Sequence, residues 1–100
     1  MKQRLQLILT KEELKRISIN DKEKEITVDV HRMHRKEAKR LIKNLICLVR
    51  EAFKIIIIHG YNSGVTLQQM FRREFNGGRV DEILVFDENP GLTKFNIAAA

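Results

Sequence analysis

Two short runs that read as β-strands, each followed directly by a histidine, constrain the fold of this chain most strongly. The first run covers residues 26–30 and leads into His31; the second covers residues 55–58 and leads into His59. A long amphipathic helical pattern separates them. Parallel neighbouring strands need such a crossover connection, so the spacing predicts a parallel pair whose carboxyl ends bring both histidines to one edge of a sheet.

The periodicity of the rest of the chain completes a β-α-β-α-β-β order. The second run is apolar on both faces and too short for a helix, which indicates a central strand. Farther along, apolar side chains recur first with helical and then with strand spacing. The elements predicted after the first strand are helices at 35–53 and 65–75 and strands at 55–58, 80–86 and 92–98.

The first strand also indicates how many layers the fold has. Ile26 and Val28 lie on one face of that strand, while Thr27 and Asp29 lie on the other. Helices are therefore expected to cover only the apolar face. The predicted fold class is α/β (α+β), a two-layer sandwich with a mixed four-stranded sheet and two helices on one face.

The first 24 residues are predicted to form an N-terminal arm that precedes the domain at 25–100. Leu5, Leu7 and Leu9 alternate with polar residues, which favours an extended segment that covers part of the open sheet face as an added edge strand. Thr10 and Glu13 have the spacing of a capping box, which opens a short helix that runs to residue 17.

Composition excludes several classes of protein. With 100 residues, 43% of them apolar, the chain is expected to form one compact domain. No apolar run approaches the ~20 residues that span a bilayer, and the start does not resemble a signal peptide. A single cysteine, Cys47, excludes an internal disulfide framework and suits a reducing compartment, so a cytoplasmic location is expected. The formal charge of +6 favours polyanionic partners.

The candidate site combines the two strand ends with a loop of small residues. Ligands of open sheets with parallel neighbours bind beyond the carboxyl ends of the strands, where helix N-termini also point. Here Asp29, His31, His59 and the loop at 60–64 are expected to meet and to bind a phosphate ester. His31 has the chemistry of a general base or acid that Asp29 orients, and His59 that of the opposite proton transfer.

Both strand ends resemble motifs of a known family, the small MutS-related (Smr) domain. Val28-Asp29-Val30-His31 resembles the family's L-D-x-H segment, and His59-Gly60-Tyr61-Asn62-Ser63-Gly64 resembles its H-G-x-G-x-G loop. The order of strands and helices is also similar, so the resemblance covers about three quarters of the chain. It implies a nucleic-acid-binding domain with endonuclease (nicking) activity on DNA or RNA phosphodiesters. It also implies phosphate binding by Gly60, Tyr61, Asn62, Ser63 and Gly64.

The chain departs from the family pattern at three positions. Arg32 follows the first motif where many members have glycine, Asn62 replaces the middle glycine of the loop, and Tyr61 stands where lysine is common. Two of these departures, Arg32 and Asn62, favour an alternative function, a non-catalytic module that binds structured RNA or branched DNA. A third hypothesis is a protein-interaction domain that uses the open sheet face.

Basic residues near the motifs are candidates for contacts with a nucleic-acid backbone. They follow the first motif or lie on the second predicted helix, and the alternative for such residues is a solvated helix face. The predicted backbone contacts are Arg32, Arg35, Lys36, Arg72 and Arg73.

A metal site is a weaker alternative. His31 and His34 form an H-x-x-H pattern to which Asp29 and His59 could add ligands. Only one acidic ligand, Asp29, is in place for a magnesium or manganese ion during catalysis. We therefore assign no metal ligands from the sequence.

Overall fold

The structure, a computed structural model, describes residues 2–60 and 65–100, which form one five-stranded sheet and four helices. The order from β2 onward is the predicted β-α-β-α-β-β. The elements in chain order are α1 (Lys2–Ile8), α2 (Lys11–Lys15), β1 (Ile17–Asn20), β2 (Glu25–Asp29), α3 (Arg35–Leu48), β3 (Phe53–Ile58), α4 (Val65–Arg73), β4 (Val80–Val85) and β5 (Leu92–Ile97).

The sheet has the strand order β1-β2-β3-β5-β4. Strands β2 and β3 are parallel, with Val28 opposite Ile57 and Asp29 opposite Ile58, and α3 is the crossover between them. Strand β5 runs antiparallel to both β3 and β4. The predicted parallel pair and the α/β class are therefore confirmed, although the sheet has five strands rather than four.

The core lies between one face of the sheet and the helices, as the alternation in β2 predicts. Ile26 and Val28 are fully buried, whereas Thr27 and Asp29 on the other face are half-buried. The side chains that the helices add to this core are Leu5 and Leu9 near α1, Ala38, Leu41, Ile42 and Leu45 from α3, and Leu67, Met70 and Phe71 from α4.

The N-terminal segment is the largest departure from the predicted structure. Leu5 is buried and Leu9 is nearly so, whereas Leu7 is 85% exposed. Residues four apart lie on one face of a helix, so the leucines fit α1 with Leu7 pointing to solvent. The prediction of an extended arm is therefore wrong, because α1 packs against α3 on the helix side of the sheet.

The capping box of α2 is confirmed, but the helix is shorter than predicted. Thr10 Oγ1 accepts a hydrogen bond from the Glu13 amide at 3.0 Å, and Glu13 Oε1 accepts one from the Thr10 amide at 2.9 Å. The helix ends at Lys15, and Ile17 and Ile19 alternate with exposed residues in β1. Strand β1 pairs antiparallel with β2 and is the fifth strand of the sheet.

Helix α3 ends before the predicted boundary. Its last residue is Leu48, and Phe53 belongs to β3, where it shares the buried face with Ile55 and Ile57. The Arg79 guanidinium donates hydrogen bonds to the carbonyls of Ile46 and Val49 and so holds the end of the helix. With 14 residues α3 is the longest helix described, and none of the helices within 2–60 and 65–100 has the length and apolar character needed to cross a bilayer.

Candidate functional site

Asp29 and His31 form a hydrogen-bonded pair at the carboxyl end of β2. Asp29 Oδ1 accepts a hydrogen bond from the His31 amide at 3.1 Å and a second one from His31 Nδ1. Because a carboxylate only accepts, Nδ1 carries the hydrogen and Nε2 of the neutral ring is left to accept a proton. The side chains are 49% and 40% exposed for His31 and Asp29, so a solvent-borne ligand reaches both.

The carboxyl group of Asp29 is held in its charged form. Partial burial raises its pKa, but the hydrogen bonds from the side chain and backbone of His31 and the nearby positive charges, including Arg16, outweigh that effect. The net result is a pKa below the ordinary value of 3.8. Asp29 is therefore an anion at neutral pH that orients the His31 ring.

Arg16 fixes the backbone around this pair. Its Nη1 donates to the Asp29 carbonyl at 3.0 Å and to the His31 carbonyl at 3.3 Å, and the Asp29 amide donates to the Arg16 carbonyl at 2.9 Å. The sequence pattern did not identify Arg16, because its contact with this turn depends on the pairing of β1 with β2. That strand is the one that the periodicity missed.

His59 has different surroundings. Its ring is 0% exposed and shares the helix-covered side of β3 with Ile57. His59 Nδ1 lies 2.9 Å from the Gly60 carbonyl oxygen, and Nε2 lies 2.8 Å from Thr93 Oγ1. A carbonyl only accepts, so Nδ1 donates to it and Nε2 accepts from the Thr93 hydroxyl. Arg72 Nε donates to the same hydroxyl oxygen at 3.2 Å, so Arg72, Thr93 and His59 form a hydrogen-bond network.

Burial is the main reason that His59 is neutral. Burial lowers its pKa below the ordinary value of 6.5, and the positive charge of Arg72 lowers it further, while the bond to the Gly60 carbonyl opposes both effects. Both ring nitrogens are occupied and the ring is shielded from solvent. The structure therefore does not bring His59 to the surface beside the Asp29–His31 pair, and the two histidines do not form the predicted pair of proton-transfer groups.

The loop after β3 nevertheless begins beside His31. Gly60 has φ +85, a conformation that favours glycine, and a Cβ placed on it would lie 3.7 Å from His31 Cβ. The amides of His59 and Gly60 both donate to the Gly91 carbonyl, at 3.0 and 3.2 Å. A Cβ on Gly91 would lie 3.4 Å from the Gly60 carbonyl carbon, so the turn before β5 packs closely against Gly60. The other predicted phosphate-binding residues, Tyr61, Asn62, Ser63 and Gly64, lie outside the described residues.

The predicted backbone contacts divide into three groups. Arg32, Lys36 and Arg73 are exposed, and none of them makes an ion pair with another described residue. Arg35 is exposed but forms an ion pair with Glu74. Arg72 points inward, where it donates to Thr93 and to the Leu92 carbonyl. The Arg72 guanidinium is thus part of the hydrogen-bond network with Thr93 and His59.

Glu74 reduces the positive charge between α3 and α4. Its carboxylate pairs with Lys39 at 2.7 Å and with Arg35. Hydrogen bonds from Lys39 and then from Arg35 lower its pKa below the ordinary value, so it stays charged. The guanidinium of Arg35 is therefore paired with a carboxylate, although its side chain remains exposed.

A groove separates the β2–α3 turn from the first turn of α4. We name it the α3–α4 groove; its volume is about 390 Å³. A smaller hollow of about 240 Å³, also bordered by Arg35 and Thr66, continues along α4 to Arg73. The residues that line the α3–α4 groove are Arg32, Met33, His34, Arg35, Thr66 and Leu67.

The H-x-x-H alternative has no geometric support among the residues described. Within 2–60 and 65–100, no group of three or more His, Cys, Asp and Glu side chains is arranged to hold a metal ion. His34 is the N-cap residue of α3 and lines the groove. His59 is buried between the sheet and the helices. These positions separate His34 and His59 from the Asp29–His31 pair.

Comparison with known proteins assigns the chain to no family. No protein-family model, no curated protein and no solved structure matches it. The interpretation as an Smr-like domain therefore depends on the two motifs and on the order of strands and helices from β2 to β5.

Proposed function

We propose that this chain is an Smr-like nucleic-acid-binding domain that holds backbone phosphates at the carboxyl ends of β2 and β3. The observation that carries the proposal is the exposed Asp29–His31 pair, with Gly60 directly beside it. Helices α3 and α4 both begin at this edge, and helix N-termini favour anions. The formal charge of +6 speeds encounter with a polyanion.

The same pair supports endonuclease chemistry. His31 Nε2 accepts the proton of an attacking water while the oxygen forms a new bond to phosphorus. The bond from phosphorus to the leaving sugar oxygen breaks, and that oxygen takes a proton from solvent. Asp29 holds the ring in the required tautomer and stabilises the imidazolium that forms, and such a general base contributes about 10²- to 10⁴-fold in rate.

His59 has a positioning role in this proposal. Its bond to the Gly60 carbonyl orients the start of the loop, and the Thr93 hydroxyl holds the ring from the other side. A magnesium or manganese ion at this edge would take Asp29 as its protein carboxylate, with phosphate oxygens of the substrate as further ligands. The cleavage experiment described below therefore compares magnesium, manganese and a chelator.

A second candidate function is binding of structured RNA or branched DNA without cleavage. The burial of His59 favours it, because His31 is then the one histidine of the two motifs that faces solvent. In the structure as described, His59 therefore does not supply a second proton transfer beside the Asp29–His31 pair. In either case we expect a cytoplasmic protein, because an exposed thiol such as Cys47 suits a reducing compartment.

The deciding experiment incubates the purified chain with labelled single-stranded, duplex and branched DNA and RNA, with magnesium, manganese or a chelator. It compares the wild type with His31→Ala, Asp29→Asn and Lys43→Ala. Lys43 is exposed on α3 and serves as the control for loss of a surface side chain. We expect His31→Ala to reduce cleavage at least about 100-fold and Lys43→Ala to leave it unchanged.

Each outcome selects one function. Cleavage that His31→Ala leaves unchanged rules out the proposed catalytic site. Binding that weakens steeply with salt, without cleavage under any condition, favours the non-catalytic module. Absence of binding to every nucleic acid rules out both functions and favours the protein-interaction domain, whose affinity for a partner would depend little on salt.

A further inference from the structure

Arg32 occupies a backbone conformation that suits glycine better than arginine. The Met33 amide donates to the Val30 carbonyl at 3.0 Å, which closes a turn with Arg32 in its third position. There φ is +67, as in a type II turn, where glycine or asparagine is preferred. The fold therefore does not explain an arginine at this position, since glycine would satisfy the same turn with less strain.

Contacts within the chain do not explain the side chain either. Arg32 is exposed, and its guanidinium makes no hydrogen bond or ion pair with any of the residues described. Lys24 offers a comparison, as the other non-glycine residue described with positive φ, at +52. Lys24 Nζ lies 3.6 Å from Glu51 Oε2, so that side chain has a partner within the fold.

The position of Arg32 indicates what its partner is. It follows His31 directly and lines the α3–α4 groove. A nucleic-acid strand that crosses this turn therefore passes from the Asp29–His31 pair into the groove. Arg35, the other arginine of the groove, is paired with Glu74. Among the residues that line the groove, Arg32 is thus the cation left to bind an anionic ligand.

We infer that Arg32 binds the phosphate next to the one bound at the carboxyl ends of β2 and β3, beside the Asp29–His31 pair, so that the ligand is a nucleic-acid strand with consecutive phosphates rather than a mononucleotide. This inference rests on the proposed function and deepens it. The guanidinium suits the task, because its planar donors match two phosphate oxygens at once. The left-handed turn sends the side chain into the groove while the His31 ring stays on Asp29.

The test compares Arg32→Gly with Lys24→Gly, each of which removes one positive charge and relieves one left-handed residue. Lys24 precedes β2, at the end of the sheet opposite the site. Both variants are expected to raise the melting temperature by about 4 °C. Only Arg32→Gly should weaken binding of a labelled single-stranded oligonucleotide, by about tenfold, and reduce the slope of log Kd against log salt by about 0.7 between about 50 and 200 mM.

Two small ligands test the second phosphate directly. We expect the wild type to bind a nucleoside 3′,5′-bisphosphate about tenfold more tightly than the 5′-monophosphate, and Arg32→Gly to remove that difference. Equal loss of oligonucleotide affinity in the Arg32→Gly and Lys24→Gly variants, or a bisphosphate preference that survives in Arg32→Gly, overturns the inference while the proposed function stands. A wild type that binds no nucleic acid overturns both.

Discussion

His31 and His59 both follow a strand of the parallel pair, but their rings lie in different surroundings. The His31 ring is half-exposed and is hydrogen-bonded to the Asp29 carboxylate. The His59 ring is fully buried and is hydrogen-bonded to the Gly60 carbonyl and the Thr93 hydroxyl. The register explains the difference. Asp29 lies opposite Ile58, so His59 is level with Val30 and points with it toward the helices, while His31 is one residue farther along.

Under the proposed function, the same residue type has a chemical role after β2 and a structural role after β3. A ring at the surface that keeps one nitrogen available can exchange protons with a ligand. A buried ring with both nitrogens hydrogen-bonded orders the backbone around it. Four predictions test this division, in order of expected effect.

The largest difference is expected in stability. His59→Ala should lower the free energy of unfolding by about 3 kcal/mol, because it opens a cavity and leaves the Gly60 carbonyl without its donor. His31→Ala, at a half-exposed position, should change it by less than about 0.5 kcal/mol. Urea unfolding of the two variants measures both values, and equal losses would contradict the division.

Gly60→Ala tests whether the conformation of the loop start matters to binding. Its φ of +85 makes any other residue strained, so a loss of about 1–2 kcal/mol in stability is expected. Gly77→Ala is the matched control, with φ +99 and no atom within 4 Å of the added Cβ. Both should lose similar stability in thermal unfolding, but only Gly60→Ala should weaken oligonucleotide binding.

The two regions should also respond to acid in different pH ranges. The pKa of His59 is lowered in the fold, so below its ordinary value of 6.5 the unfolded chain binds more protons and stability falls as the pH decreases. The pKa of Asp29 is also lowered, so its contribution is present above 3.8 and is lost as the pH falls through the folded value. Urea midpoints between pH 8 and pH 5 should therefore decrease in the wild type and less in His59→Gln. A decrease of the same size in that variant would assign the effect to another group.

The smallest effect is expected from Glu74→Gln at the side of the α3–α4 groove. Removing this carboxylate frees Arg35 and Lys39, so oligonucleotide affinity at low salt should increase about twofold. Glu51→Gln changes the charge equally but frees Lys24 at the opposite end of the sheet. Fluorescence anisotropy of a labelled strand compares the two variants, and an equal increase would show that net charge alone controls affinity.

Much of the architecture was accessible from local patterns. The helical stretch between the two strands indicated the crossover connection of a parallel pair. The alternation of Ile26 and Val28 with Thr27 indicated that helices cover one face of the sheet. The capping box of Thr10 and Glu13 and the contact between Asp29 and His31 join residues only two or three apart. Such contacts depend on the conformation of only a few consecutive residues, so their spacing is sufficient to predict them.

Short windows were ambiguous where two periods fit the same residues. Leu5, Leu7 and Leu9 satisfy a period of two, but Leu5 and Leu9 alone satisfy a helix, and packing against α3 selects the helix. The run at 55–58 is apolar on both faces, so its periodicity did not indicate which way His59 would point. In both cases the covering layer decided the outcome.

The sequence by itself determined the parallel pair, the single covered face and the Asp29–His31 pair at the end of β2. Only the tertiary structure decided that His59 joins Thr93 and Arg72, and that Glu74 neutralises Arg35. Those partners are separated by 34, 21 and 39 residues along the chain. Spacing within one element cannot reveal such contacts, because they depend on how separate elements pack across the core.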